Sequence, residues 1–212
     1  MIIINLKSYR QGIGKNSREI VETCEEVSEV TGKDIAVCAQ NTDLLRFKNS
    51  SIEIFSQHIE SVELGSHTGH TPVEVVEEAK ADGVLINHSE KRLTSKEIKK
   101  IVEKTKKHNL TSVICAQSPE ECEKFSKFKP DYIAYEDPEL IGGNTSISEA
   151  EPEMIEKAVS ASQVPVLTGA GIHNTKDVEK SIKHGCKGVL VASAVVKSEK
   201  PKEIIKELAE GL

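Results

Sequence analysis

Val84-Leu85-Ile86, then Asn87-His88-Ser89-Glu90-Lys91-Arg92, then Thr94-Ser95-Lys96-Glu97: the fold is read outward from this stretch. The apolar run is too short for a helix and rich in branched side chains, so it reads as a strand buried on both faces. The polar residues behind it make a turn. Thr94 and Glu97 have the spacing of a capping box, in which a hydroxyl and a carboxylate each take a free N–H at a helix start. Residues 84–97 therefore spell one strand, one polar turn and one helix start.

The same unit recurs in both directions. Further apolar runs lie at residues 2–4, 35–38, 54–55, 112–115, 132–135, 164–167 and 189–191, which with 84–86 makes eight. Thr71-Pro72-Val73-Glu74 and Ser118-Pro119-Glu120-Glu121 each read as a capping hydroxyl, a Pro at the first helical position and a closing Glu. Ser148-Glu149-Ala150-Glu151 is a further box candidate, and Asn174 precedes a helix with Asp177 in its first turn. Gly32 and Gly185 are stop signals. The first long helix puts Ile20, Cys24, Val27 and Val30 on one face, with mostly Glu opposite.

Alternating strands and helices suit an open doubly wound sheet or a closed barrel. Eight units favour the second, an α/β closed eight-stranded parallel (β/α)8 barrel, and 212 residues is near its lower size limit. No linker divides the chain, so a single domain over 1–212 is expected. Gly12 and Gly14 lack a third Gly in register, which argues against a dinucleotide-binding sheet.

Composition narrows the partners. The chain has 28 basic and 34 acidic residues, a net charge of −6, which disfavours non-specific nucleic-acid binding. No apolar run approaches a membrane span, and the N-terminal stretch lacks the features of a secretory leader, so a cytoplasmic protein is expected, without membrane partners. The five Cys form no C-x-x-C pair and read as reduced packing residues. There is no zinc spacing, calcium loop or nucleotide-phosphate loop, so no metal is expected.

In a parallel barrel, chemistry sits at the C-terminal ends of the strands. Behind the successive runs stand Asn5 and Lys7; His88 and Glu90; Glu136; Thr168-Gly169-Ala170-Gly171; and Ala192-Ser193-Ala194. One face thus collects a Lys, a His, a carboxylate and two small-residue turns whose backbone N–H groups suit a phosphate. His58, His67, His70, His108, His173 and His184 read as surface or loop residues.

Asn5-Leu6-Lys7, His88-Ser89-Glu90-Lys91-Arg92, Ala134-Tyr135-Glu136 with Ile141-Gly142 behind it, and Gly65-Ser66-His67-Thr68-Gly69 resemble motifs of the triosephosphate isomerase family. The order matches, and the short chain, Pro138-Glu139-Leu140-Ile141-Gly142, Gly169-Ala170-Gly171-Ile172 and Ala192-Ser193-Ala194 resemble its compact archaeal branch. The resemblance implies interconversion of dihydroxyacetone phosphate and glyceraldehyde 3-phosphate, in glycolysis and gluconeogenesis, with no cofactor. It implies Glu136 as base, His88 and Lys7 as electrophiles, and Glu90 in support near Lys7. It also implies that Asn5, Lys7, Ile141, Gly142, Gly171, Ala192 and Ser193 bind the small phosphorylated triose. Finally, it implies self-association into a homotetramer built from dimers, residues 62–71 docking beside a neighbour's Asn5–Lys7 turn. Two positions depart from the family: Leu6 stands where Trp is common, and Asp137 where Pro is usual. Another phosphate-binding barrel enzyme, or a catalytically silent barrel that binds a phosphorylated ligand, are the competing readings.

Overall fold

The computed structural model describes residues 1–140 and 146–212, and in it eight parallel strands close into a barrel in sequence order. They are β1 (Ile2–Asn5), β2 (Ile35–Ala39), β3 (Glu53–Ser56), β4 (Gly83–Ile86), β5 (Thr111–Ala116), β6 (Tyr132–Glu136), β7 (Val166–Gly169) and β8 (Val189–Val191). Every expected run forms a strand. The seam is closed by β1 against β8, with Ile2 opposite Val189 and Ile4 opposite Val191.

A period of two explains why these runs are apolar throughout. Alternate residues such as Ile3, Cys38, Phe55, Leu85, Cys115 and Leu167 point inward and fill the barrel. Their neighbours, such as Ile4, Val37, Ile54, Ile86, Ile114 and Val166, pack outward against the helices. One strand therefore feeds two cores, and the hydroxyl of the buried Ser112, near the start of β5, donates to the Asp131 carboxylate at 2.7 Å.

The helices are α1 (Asn16–Thr31), α2 (Val73–Glu78), α3 (Ser95–Lys107), α4 (Pro119–Ser126), α5 (Ile147–Ala150), α6 (Pro152–Ala161), α7 (Thr175–Lys183), α8 (Ser193–Val196) and α9 (Pro201–Glu210). Thr94 forms the expected box on α3: its hydroxyl accepts from Glu97 N–H, and its own N–H donates to the Glu97 carboxylate at 2.8 Å. Asn174 caps α7 and Gly32 ends α1 in the left-handed conformation, as expected.

Four local expectations are corrected. Thr71 does not cap α2, because Pro72 is the residue before the helix; the Thr71 N–H instead donates to the Glu60 carboxylate at 2.6 Å. Ser148 lies inside α5, which Ser146 caps. Val30 is 76% exposed, and Val21 joins the buried stripe of α1. Strand β7 starts at Val166, since Pro165 has no N–H for the ladder, and it runs on to include Thr168 and Gly169. Between β2 and β3 the connection holds a short 3-10 turn, Leu44–Phe47, among its described elements.

Gly188 marks the seam. A Cβ there would lie 1.9 Å from the Met1 carbonyl oxygen, the atom that accepts from Val189 N–H across β1 and β8. Gly188→Ala must therefore push the two strands apart. It is expected to cost on the order of 3 kcal/mol or more, or to prevent folding. Denaturant unfolding measures this; a variant within about 0.5 kcal/mol of wild type contradicts the seam assignment.

Candidate active site

The strand ends deliver the polar residues to one mouth. Asn5 ends β1, and Lys7 follows in the left-handed region at φ 49°. That conformation is disfavoured for Lys and needs support. Asn5 Oδ1 accepts from Lys7 N–H at 3.0 Å, and the Gln40 and Gln57 amides both donate to the Lys7 carbonyl at 3.1 Å. The backbone is thus pinned on both sides, and the ammonium reaches across to Glu90 Oε1 at 2.8 Å. The Lys7 side chain is 10% exposed and Glu90 59%, so Glu90 is the wet end of that pair.

His88 follows β4 and is buried. Its Nδ1 accepts from Glu90 N–H at 3.2 Å. A ring nitrogen that accepts carries no proton, so this bond assigns a neutral imidazole with its proton on Nε2. Nε2 faces Glu136 Oε2 at 3.5 Å without a hydrogen bond between them.

Glu136 is the last residue of β6 and only 7% exposed. Its Oε2 has no hydrogen-bond partner among the described residues. Burial pushes its carboxyl up from the ordinary carboxylate range, against the pull of the Lys7 ammonium and of the Cys115 thiol as a donor. Burial also holds that thiol well above its usual value, so Cys115 offers S–H rather than charge. Gly169 stands opposite Glu136 in the register, and a Cβ there would lie 2.8 Å from Glu136 Oε1. The carboxylate occupies the space that a side chain on Gly169 would fill.

Across the mouth, Ala170 and Gly171 are consecutive left-handed residues at φ 77° and 67°, and Ala192-Ser193 opens α8. Neither the Gly171 nor the Ser193 N–H donates to a described backbone carbonyl. Asn5, Lys7, His88, Glu136, Gly171, Ala192 and Ser193 line one open cleft. Two residues expected for the phosphate, Ile141 and Gly142, lie outside the described residues. Asp137 Oδ1 accepts from Glu139 N–H at 2.8 Å, so its carboxylate is engaged in its own turn.

Sequence reading missed Tyr9, which lines the cleft with Lys197 Nζ 4.3 Å from its ring centre, and the framework groups Gln40, Gln57, Asn87 and Cys115. Only Asn87 carried a local signal, through its place directly before His88. Among the described residues no group of three or more His, Cys, Asp or Glu is placed to hold a metal ion. No described helix is long and apolar enough to cross a membrane.

The triosephosphate isomerase family model matches residues 1–208. The chain belongs to the triosephosphate isomerase family. It is 40% identical to the triosephosphate isomerase of Methanocaldococcus jannaschii, over 98% of both chains. It is 38% identical to that of Methanothermus fervidus, over 98% of this chain and 96% of that protein. A solved structure of triosephosphate isomerase from Bartonella henselae superposes with a TM-score of 0.70 over 92% of each chain; at 18% identity it supports the barrel alone.

The buried Glu136 sets a pH dependence of stability. A carboxyl raised in the folded state binds its proton more tightly folded than unfolded. Stability is therefore greatest at low pH for this group and falls as pH rises through the unfolded and then the folded value. Glu136→Gln removes that cost. It is expected to melt above wild type at pH 7, with the gap closing towards pH 4; a gap that is absent or reversed at pH 7 contradicts the burial argument.

Proposed function

We propose that Glu136, His88 and Lys7 carry out the interconversion of dihydroxyacetone phosphate and D-glyceraldehyde 3-phosphate. The observation that carries the reading is the buried, raised carboxyl of Glu136 facing the Nε2 side of a neutral His88. Triosephosphate isomerase is itself the standard example of a carboxylate base beside a neutral imidazole, so the pairing is an agreement with known chemistry and not a new finding.

Glu136 removes a proton from the carbon beside the substrate carbonyl. A carboxylate with one oxygen unpartnered is a stronger base than one satisfied by hydrogen bonds. Negative charge then develops on the substrate oxygens. His88 Nε2–H and the Lys7 ammonium stabilise it, already in place before the charge appears. Asn5 and Glu90 fix Lys7 from its backbone and its tip. His88 Nε2 gives its proton to the former carbonyl oxygen and takes one from the neighbouring hydroxyl, while the proton held by Glu136 returns to the neighbouring carbon, so the step balances within the substrate and no cofactor takes part. The substrate phosphate lies against the N–H groups of Gly171 and Ser193, beside Ala192, where two left-handed residues and a helix start present donors with no partner among the described backbone carbonyls. Ile141 and Gly142 complete that grip in this reading.

The assembly is proposed as a homotetramer of dimers in a single-domain subunit. Residues 63–70 are all exposed, including Leu64 at 67%. The Glu60–Thr71 bonds and the Lys104–Glu63 pair at 2.8 Å hold that loop at both ends. Beside Lys7 a second cleft is lined by Gln40, Gln57, His58, Glu60 and Lys91, a polar groove that suits such a loop from a neighbour.

Glu136→Gln, folded as wild type, is expected to lose about 10²–10⁴-fold or more in turnover in a coupled assay with dihydroxyacetone phosphate. Glu136→Asp is expected to lose about a hundredfold, because it withdraws the base by about 1 Å. Wild-type activity should fall on the acid side as Glu136 gains its proton, with a midpoint above that of a free Glu. Near-wild-type turnover of Glu136→Gln refutes the assignment of the base.

Light scattering tests the assembly. A tetramer is expected at working concentration; an active dimer refutes the tetramer, and a fully active monomer refutes loop docking as well.

A further inference from the structure

We infer that Asn87 is a positioning residue: its side chain ties the turn that carries His88 to β5, and so sets the separation between the His88 imidazole and the Glu136 carboxylate. The inference rests on the roles given above to those two residues.

The strand ladder shows why a tie is needed. Pairing of β4 with β5 ends at Ile86 opposite Ile114, and pairing of β4 with β3 ends earlier, at Val84 opposite Ser56. Strand β6 is different. It stays paired to β5 as far as Tyr135 opposite Ala116 and to β7 as far as Glu136 opposite Gly169. The base therefore sits on a strand held by β7 to its last residue and by β5 to the residue before it. The imidazole sits on a turn that has left the ladder on both sides.

Asn87 supplies the missing rung. Its backbone turns away at φ 64°, which ends main-chain pairing and which Asn tolerates better than most residues. Its Nδ2 donates to the Cys115 carbonyl at 2.9 Å, the next position on β5 after the ladder stops. Its Oδ1 accepts from Leu93 N–H at 2.9 Å, closing the far side of the His88 turn. The residue is 1% exposed, so water does not replace either bond if it is lost. Cys115 points into the barrel interior, where its thiol lies beside Glu136 as a weak donor that opposes the upward push of burial. The contacts His88–Asn87–Cys115–Glu136 thus close a ring whose remaining gap is the 3.5 Å between Nε2 and Oε2. Glycine would satisfy the backbone of this turn but would leave the ring open.

Asn87→Gly separates the two functions, because it keeps the left-handed backbone and removes both side-chain bonds. Its kcat is expected to fall about tenfold to a hundredfold, with KM within about twofold, since the reacting groups shift by a fraction of an ångström to about one. Thr94→Ala, which removes the cap of α3 just beyond the turn, is the stability control and should keep wild-type kcat. In ¹⁵N-histidine-labelled protein without substrate, the His88 Nδ1 and Nε2 signals should draw together in Asn87→Gly as the Glu90 N–H bond loosens. That readout does not depend on turnover, so it separates this inference from the proposed activity. A wild-type kcat, a change confined to KM, or an unshifted imidazole overturns the inference. Where Asn87→Gly does not fold, Asn87→Asp keeps the Leu93 bond and loses the donor to Cys115; it is expected to lose kcat likewise, and wild-type kcat there overturns the inference too.

Discussion

A carboxylate kept dry at the mouth of a barrel is expensive, and the groups around Glu136 are arranged to keep it so. Hydrogen bonds to both oxygens would relieve the cost and lower basicity together. Instead one oxygen has no described partner, and the donor beside the carboxyl is a thiol, a weak one. Lys7 pulls the carboxyl back towards charge, but burial outweighs it. Gly169 completes the socket by absence, since any side chain there would occupy the carboxylate's place.

This constraint reaches down through the barrel. Glu136 is the inward residue above Ala134 on β6, and Cys115 lies on the neighbouring strand, with Val113 the inward residue below it. Those layers must be filled and apolar for the mouth to stay dry, which is the same requirement that closes the barrel. Stability and basicity therefore share one set of side chains. On the opposite wall, the donors proposed for phosphate come from backbone in left-handed and helix-start conformations, so the proposed grip costs few side chains. The net acidity of the chain is no obstacle, because the positive end of the site is made locally.

Much of this was legible in sequence. The eight strands followed from runs of branched residues, and Lys7, His88 and Glu136 followed from their places behind such runs. Family membership is shown by the match over residues 1–208. What escaped is long-range. Gln40 and Gln57 converge on one carbonyl from different strand ends, and no spacing in the chain announces it. Cys115 read as packing because a thiol in a strand usually is. Thr71 read as a cap because the local grammar fits; Glu60, elsewhere in the chain, claims its N–H instead. Local rules fixed element types well and failed where two distant segments compete for one donor.

The central claim is that Glu136 is a buried, under-satisfied carboxylate, and its own titration is the most direct measurement of it. Carbon-13 NMR of the side-chain carboxyl, in protein labelled at Glu and assigned by Glu136→Gln, follows that one group across pH. The account predicts a midpoint clearly above that of a free Glu, moving lower when a hydroxyl donor replaces the thiol in Cys115→Ser. A midpoint at or below the free value, unchanged by Cys115→Ser, would contradict it.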